Sequence, residues 1–412
     1  MPQEHVILGG GITGIGTGYF LSKAGEQVTI IEKQSSIGGM ASSFQHKDFI
    51  FDVGPHKLYS TIPGIMSFFK EILNEECISV NKKNSLRLLE KNFSFPIKPI
   101  QFIINFPKIT AIKCGTSWLW TLLTQPYKNK PINTYEDYFL AGFGHEAYKL
   151  LFEGFCWKVW GDPKKISAEL ARRRIPVPNI KELIKNIFKT KQKPEVSADT
   201  FYYARTGIGM ICQKMSEQIE QNKGNTRLQS HPTKINIKNN NIESITIKTP
   251  NGEEIIKEPK SVINTLHLHQ LLSLLNPTPP KTILEAAYSL KYRSLIIIYL
   301  IINKQKVLED HWIFFPEKKY IFNRISEQKN FSAQTSPPDK TCIVAEISCE
   351  YKKEHWTLSD DEIVERVIKD LKSADIIQEQ NVIGKHNNCK FCNCRRIETL
   401  FQNRQHKRSK PP

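Results

Sequence analysis

Apolar positions recur along the chain with two different periods, and the switches between them mark its elements. Residues 5–8 form a short apolar run that breaks at three glycines. Helical spacing follows over 15–23, and a second apolar run, 28–31, ends at Glu32. Strand, helix, strand in this order predicts a parallel βαβ unit. Residues 61–76 read as an amphipathic helix. From 87 to 185 the pattern is aromatic and helical, jointed at Pro96, Pro107 and Pro126. Residues 201–224 read as a turn with two glycines entering an amphipathic helix. Residues 234–259 alternate by twos around Asn251-Gly252, a hairpin signal. A strand follows at 261–268, and 284–350 read as further strands. Within them, "LIIIYLII" (295–302) is too short to span a bilayer and fits a buried strand. Residues 361–374 predict a last helix, with Glu362 and Glu365 early and Lys369 and Lys372 late, as the helix dipole favours. No internal repeat is apparent. The fold class is α/β.

The first glycine break carries chemistry. Gly9-Gly10-Gly11-Ile12-Thr13-Gly14 fits G-x-G-x-x-G between a strand and a helix. Gly9 allows the tight turn, Gly11 lets a pyrophosphate approach the backbone, and Gly14 lets the helix pack on the strand. The helix N-terminus offers N–H groups and partial positive charge to phosphates. Glu32 lies where ribose hydroxyls need an acceptor, which disfavours a phosphorylated ribose and hence NADP. Thr13 and Lys33 are counted with this loop. The motif alone leaves NAD and FAD open.

Composition narrows the setting. Hydrophobic residues make up 40% and charged residues 24%, ordinary for a globular protein. The first six of nine cysteines are scattered, so no disulfide framework is expected and a reducing cytoplasm is the default. The chain reads as having no signal peptide, since the first strand starts at His5. A net charge of +17 raises nucleic acid, but residues 387–412 hold about a third of that excess. No basic helix with interleaved aromatics stands out, so nucleic acid is not expected. "TSWLWTLLT" (116–124) is expected as a buried helix covering substrate rather than a membrane patch, because no basic face accompanies it. Membrane association is therefore not expected beyond a peripheral contact.

"IGGMASSF" (37–44) and "FDVGPHKLY" (51–59) resemble the FAD-binding start of the amine oxidase superfamily. That superfamily includes phytoene desaturases, protoporphyrinogen oxidases and, more distantly, UDP-galactopyranose mutases. The resemblance implies FAD, with Gly38, Gly39 and Met40 against its phosphates and Gly54, Pro55 and His56 approaching the flavin. "FCWKVWGDPKKISAELARRRI" (155–175) is similar to a KxWG-P-x-x-IS segment of a bacterial subgroup between protoporphyrinogen-oxidase-like proteins and the mutases. It implies that Lys158, Trp160 and one arginine of the 172–174 run, aligned at Arg174, bind an anionic small-molecule substrate. "FYYARTGIGM" (201–210) resembles the return into the FAD domain, with Gly207 and Gly209 near the cofactor and backbone near Ile235 at the adenine. "HWIFFPEKKYIFNRISEQKNFS" (311–332) is close to the same subgroup and makes Arg324 an inward cation, with Arg293 a second candidate. No catalytic acid or base is assigned.

The resemblance spans residues 5–385 and implies a Rossmann-like, discontinuous FAD-binding domain (1–86 and 201–268). A mixed substrate domain pairs a helical region (87–200) with a sheet (269–385). Residues 386–412 read as an atypical basic tail, without the glycine turn and apolar helix that meet the flavin in the family. Cys389, Cys392 and Cys394 form C-x-x-C-x-C, but a zinc site would have to recruit His386 or His406, and no metal is expected. The implied reaction is hydride transfer from a small organic substrate to flavin. The alternatives are a UDP-sugar mutase of polysaccharide biosynthesis, and a catalytically weak remnant that holds FAD poorly because of its tail.

Overall fold

His5–Leu8 is the centre from which the first part of the structure, a computed structural model, is built. The structure describes residues 4–95, 105–124, 130–174, 199–290, 292–383 and 392–399. It divides into two units: Met1–Asn81, Thr200–Leu290 and Phe331–Pro337 make the first, and Lys82–Asp199, Lys291–Asn330 and Pro338–Pro412 the second.

In the first unit His5–Leu8 pairs in parallel with Val28–Ile31 on one side and Ser261–Asn264 on the other. Asn225–Arg227 extends this parallel sheet beyond Val28–Ile31. Parallel strands are covered on both faces, and Val6, Ile7, Leu8, Ile30 and Ile31 are accordingly buried. Helices Ile12–Lys23 and Met210–Gln221 pack together at Gly18, where a Cβ would sit 2.7 Å from Ile30 Cδ1 and 3.2 Å from Ile219 Cδ1. The alternating segment forms a second sheet ordered Gly252–Lys257, Asn241–Thr249, His231–Lys238, Leu275–Asn276. Its inward residues Ile235, Ile245 and Ile247 share one core with Val6, Leu8 and Ile31.

The second unit is built on a seven-stranded sheet. Its order is Cys392–Thr399, Arg293–Ile302, Thr341–Cys349, Arg324–Glu327, Trp312–Phe314, Asn84–Leu88, Lys91–Ser94. The long apolar run lies in Arg293–Ile302, antiparallel to both neighbours and buried on both faces. Helix Asp360–Ser373 starts in a capping box between Ser359 and Glu362. It packs Ile363, Val367, Ile368 and Leu371 on one sheet face, against Ile296, Ile298, Ile343 and Ile347. The pleat sends Trp312, Phe314, Arg324, Ser326, Val344 and Glu346 to the opposite face.

Four expectations change. Residues 82–86, expected in the first lobe, fall in the second unit, and Asn84–Leu88 and Lys91–Ser94 are strands of its sheet where the pattern from 87 onward reads as helical. Residues 386–412 were expected to lie outside the fold, yet the backbone of Cys392–Thr399 pairs with Arg293–Leu300. Without it, that edge would expose a row of unpaired amides. Residues 269–290, expected in the sheet of the substrate domain, instead hold helices Leu268–Leu274 and Lys281–Tyr288 and fall in the first unit. Finally, helix Lys108–Thr124 buries Cys114 and Thr121, while Leu119, Trp120 and Leu123 of the expected buried stretch are exposed. Small side chains let this helix approach helix Tyr135–Ala147 closely: a Cβ at Gly144 would lie 2.8 Å from the Ser117 carbonyl oxygen.

One buried carboxylate ties Met1–Asn81 to Thr200–Leu290, two of the three stretches of the first unit. Asp52 accepts hydrogen bonds from Ser43 Oγ (2.6 Å), the Ile208 N–H (3.0 Å) and the Tyr203 hydroxyl. Burial pushes its pKa up, while the three donors and the nearby His56 oppose the rise. Asp52→Ala leaves the buried Tyr203 hydroxyl and Ile208 N–H, and the half-buried Ser43 hydroxyl, without this acceptor. It should destabilise the unit by about 3–5 kcal/mol, and Asp52→Asn by less, since the amide oxygen still accepts. Urea unfolding followed by circular dichroism measures both. Equal midpoints for Asp52→Ala and the parent would mean that the carboxylate holds nothing together.

Candidate functional site

The three motif glycines have different jobs. A Cβ at Gly14 would lie 1.9 Å from the Gly9 carbonyl oxygen, and Gly9, at φ +107°, would place one 2.4 Å from Thr265 Oγ1. Both are required by the protein's own packing. Gly11 is not: it has φ −71°, and a Cβ there would meet nothing within 4 Å. Its emptiness faces the start of helix Ile12–Lys23, which has no side-chain cap and no acid in its first turn. An uncapped N-terminus beside a Cβ-sized vacancy fits a pyrophosphate.

Glu32 shapes this loop from below. Its Oε2 accepts the Gly10 N–H at 2.6 Å and its Oε1 accepts the Gln34 N–H at 2.7 Å. Each oxygen keeps a lone pair for a ribose hydroxyl. Gly10 is needed for this contact, because a Cβ would lie 2.8 Å from Glu32 Cβ. The Gly38 N–H donates to the Gly10 carbonyl at 2.8 Å, and Gly11 and Gly38 form an isolated parallel bridge. Gly38 and Gly39 both have positive φ. Thr13 and Lys33 are exposed beside the loop, and Met40 is half-buried.

Gly54, Pro55 and His56 leave strand Phe49–Asp52, and a nitrogen of His56 (Nε2) lies 3.1 Å from the Val53 carbonyl oxygen. Gly207 and Gly209 press on Ser43, whose Oγ also accepts the Gly209 N–H at 2.8 Å. Ile235 is a core residue, with its strand paired on both sides at Leu275 and Ile245. Gly10, Ser43, Asp52 and Tyr203 were not among the expected residues. The GGG run and the FD of "FDVGPH" are the signals that pointed to the first and third.

In the second unit most of the expected cations are already engaged. Arg324 forms a two-pronged ion pair with Glu346, both bonds 2.7 Å, and lies 4.9 Å from the Trp312 ring centre. Arg293 is buried and its Nη2 donates to the Lys158 carbonyl at 2.8 Å. Lys158 Nζ donates to the carbonyls of Phe315 and Phe322, each at 2.8 Å. It borders a cleft of about 660 Å³ lined by Trp157, Lys318, Tyr320, His355 and Arg366. Burial pulls the Lys158 pKa down to about 7, against Asp370 and Glu317, and lowers that of His355. The Trp160 ring packs against Tyr135 and Phe155, with Nε1 buried and unbonded. In helix Ala168–Arg174, Arg173 pairs with Glu169 at 2.8 Å and Arg172 reaches the Ile132 carbonyl and the Tyr138 ring. Arg174 is exposed, with no hydrogen bond or ion pair among the described residues. The structure thus brings Lys158 and Arg293 together and leaves Arg174 available.

A neutral lysine has two N–H groups, enough for the two carbonyls at Lys158. With a folded pKa near 7 and an unfolded one near 10.5, the unfolded chain binds more protons between those values. Stability should therefore rise as pH climbs from 7 to 10, by at most about 1.4 kcal/mol per pH unit. Lys158→Met should flatten that slope. Urea midpoints across this range check it, and parallel profiles for the two proteins would place the titration elsewhere.

Two regions of the chain match known families. Residues 7–72 match the family of NAD(P)-binding Rossmann-like domains. Residues 158–387 match the flavin containing amine oxidoreductases. L-amino acid oxidase Cdc18 of Crotalus durissus cumanensis is 30% identical over 112 residues, 24% of this chain and 22% of that protein. The chain therefore spans less than a quarter of that relative's length. Among solved structures, reduced UDP-galactopyranose mutase is similar with a TM-score of 0.81 and 19% identity, over 97% of this chain and 84% of that one. A putative protoporphyrinogen oxidase from Exiguobacterium sp. 255-15 is similar with a TM-score of 0.71 and 16% identity, over 98% of this chain and 88% of that one. No described helix is long and apolar enough to cross a membrane. With its second match covering more than half of its residues, the chain belongs to the flavin containing amine oxidoreductases.

Proposed function

We propose that the chain binds FAD on the Gly9–Gly14 loop and oxidises a small anionic organic substrate by hydride transfer. The observation that carries this reading is Gly11, whose open Cβ direction lies beside an uncapped helix start. Bound FAD supplies the hydride acceptor. The chain's own residues bind and orient. Backbone N–H groups at the start of helix Ile12–Lys23 hold the pyrophosphate, and Glu32 accepts a ribose hydroxyl while it keeps the loop in shape. Arg174 holds the anionic group of the substrate, because its charge meets no partner among the described residues. Arg324 serves less directly, since Glu346 already neutralises it.

Two experiments test the parts separately. Gly11→Val should fold as the parent does, because a Cβ there meets nothing within 4 Å, and should lose FAD; Gly14→Ala should lose both fold and FAD. FAD absorbance after gel filtration, with a melting curve, reads both, and full FAD retention by Gly11→Val would remove the loop as the cofactor site. For the reaction, anaerobic addition of amino acids and other small anions should bleach the flavin with one of them. Arg174→Ala should weaken that substrate by about 1.5–3 kcal/mol. Turnover of UDP-galactopyranose by the reduced protein alone would replace oxidation with the mutase reading. A chain that retains no FAD would favour the remnant.

A further inference from the structure

Helix Lys108–Thr124 is packed the wrong way round for a water-facing helix. Cys114 and Thr121 are buried on its inner side, and Ser117 Oγ there accepts the Glu146 N–H at 3.3 Å. The large apolar side chains point outward: Ile109 is 72% exposed, Ile112 63%, Leu119 51%, Trp120 68% and Leu123 74%. At about 100° per residue these five fall within an arc of roughly 100°, so they form one stripe. An exposed stripe of five large apolar side chains with a tryptophan, interrupted only by Thr116, is costly in water and marks a contact surface.

Charge says what the contact is. On the same helical wheel Lys108 and Lys113 fall on opposite edges of the stripe, and both are exposed. Over residues 91–130 the sequence carries Lys91, Lys98, Lys108, Lys113, Lys128 and Lys130, and no acidic residue. A protein partner that covers an apolar stripe needs no lysine on each of its edges. An anionic lipid surface matches both features: headgroups attract the lysines, the acyl boundary takes the apolar side chains, and tryptophan favours the interface. At 17 residues the helix is too short to cross a bilayer, so it would lie in the surface plane.

We infer that helix Lys108–Thr124 docks this protein on anionic lipid membranes through the stripe of Ile109, Ile112, Leu119, Trp120 and Leu123. The inference is independent of the FAD reading. The test is flotation of the full chain with phosphatidylcholine vesicles and with vesicles that also contain phosphatidylserine. The parent should float with the phosphatidylserine vesicles, and added salt should weaken this. A triple variant, Ile112→Ser, Trp120→Ser and Leu123→Ser, should lose at least about tenfold in binding with an unchanged melting temperature, since all three sites are exposed. Lys108→Glu with Lys113→Glu should lose about tenfold on phosphatidylserine vesicles. Any of three results would overturn the inference: no flotation of the parent, equal binding to both kinds of vesicle, or self-association that the triple variant abolishes while vesicles leave the parent unbound.

Discussion

The carboxylate of Asp52 is the point on which the first unit depends. It lies in a stretch from the beginning of the chain, but two of its donors, Tyr203 and Ile208, come from about 150 residues later. The third, Ser43, also receives the Gly209 N–H, so one acid and one hydroxyl join the two longer stretches of the unit. From Ser43 the order runs back through the turn Gly39–Ala41 to Gly38, whose N–H meets the Gly10 carbonyl. Glu32 then takes the Gly10 N–H from the other side. The nucleotide loop is therefore shaped by backbone groups held at both ends, before any ligand arrives. A charged acid in such a place is costly unless every lone pair in use meets a donor, and here three donors meet it.

What was legible in the sequence was local. The G-x-G-x-x-G spacing, the acid at Glu32 and the eight-residue apolar run at 295–302 each report on neighbours in sequence, because helix and strand periods repeat over a few residues. The alternation over 234–259 also survives, as three strands around the turn that Thr249 and Gly252 close. Partners far apart in sequence were not legible. Nothing in "IFNRISEQ" announces that Arg324 is matched by Glu346, one strand away. Nothing near Lys158 announces two carbonyls at 315 and 322. The orientation of helix Lys108–Thr124 was also hidden. A mixed apolar pattern leaves open which side turns inward, and here close approach at Gly144 favours the small side.

The cations of the second unit separate into two groups by what they meet. Arg324, Arg293 and Lys158 are at least partly buried and held by an acid or a carbonyl, and removing one partner of such a contact would cost the fold. Charges of that kind cannot be redirected to a ligand without loss of structure. Arg174, Lys108 and Lys113 are exposed and lie on helices whose packing does not use them. Ligand recognition assigned to charges of the second kind can change by substitution while the first kind keeps the sheet and its covering helix in place. A fold can therefore outlast large changes of sequence at such exposed positions, as the 16–19% identity to solved structures of the same fold illustrates.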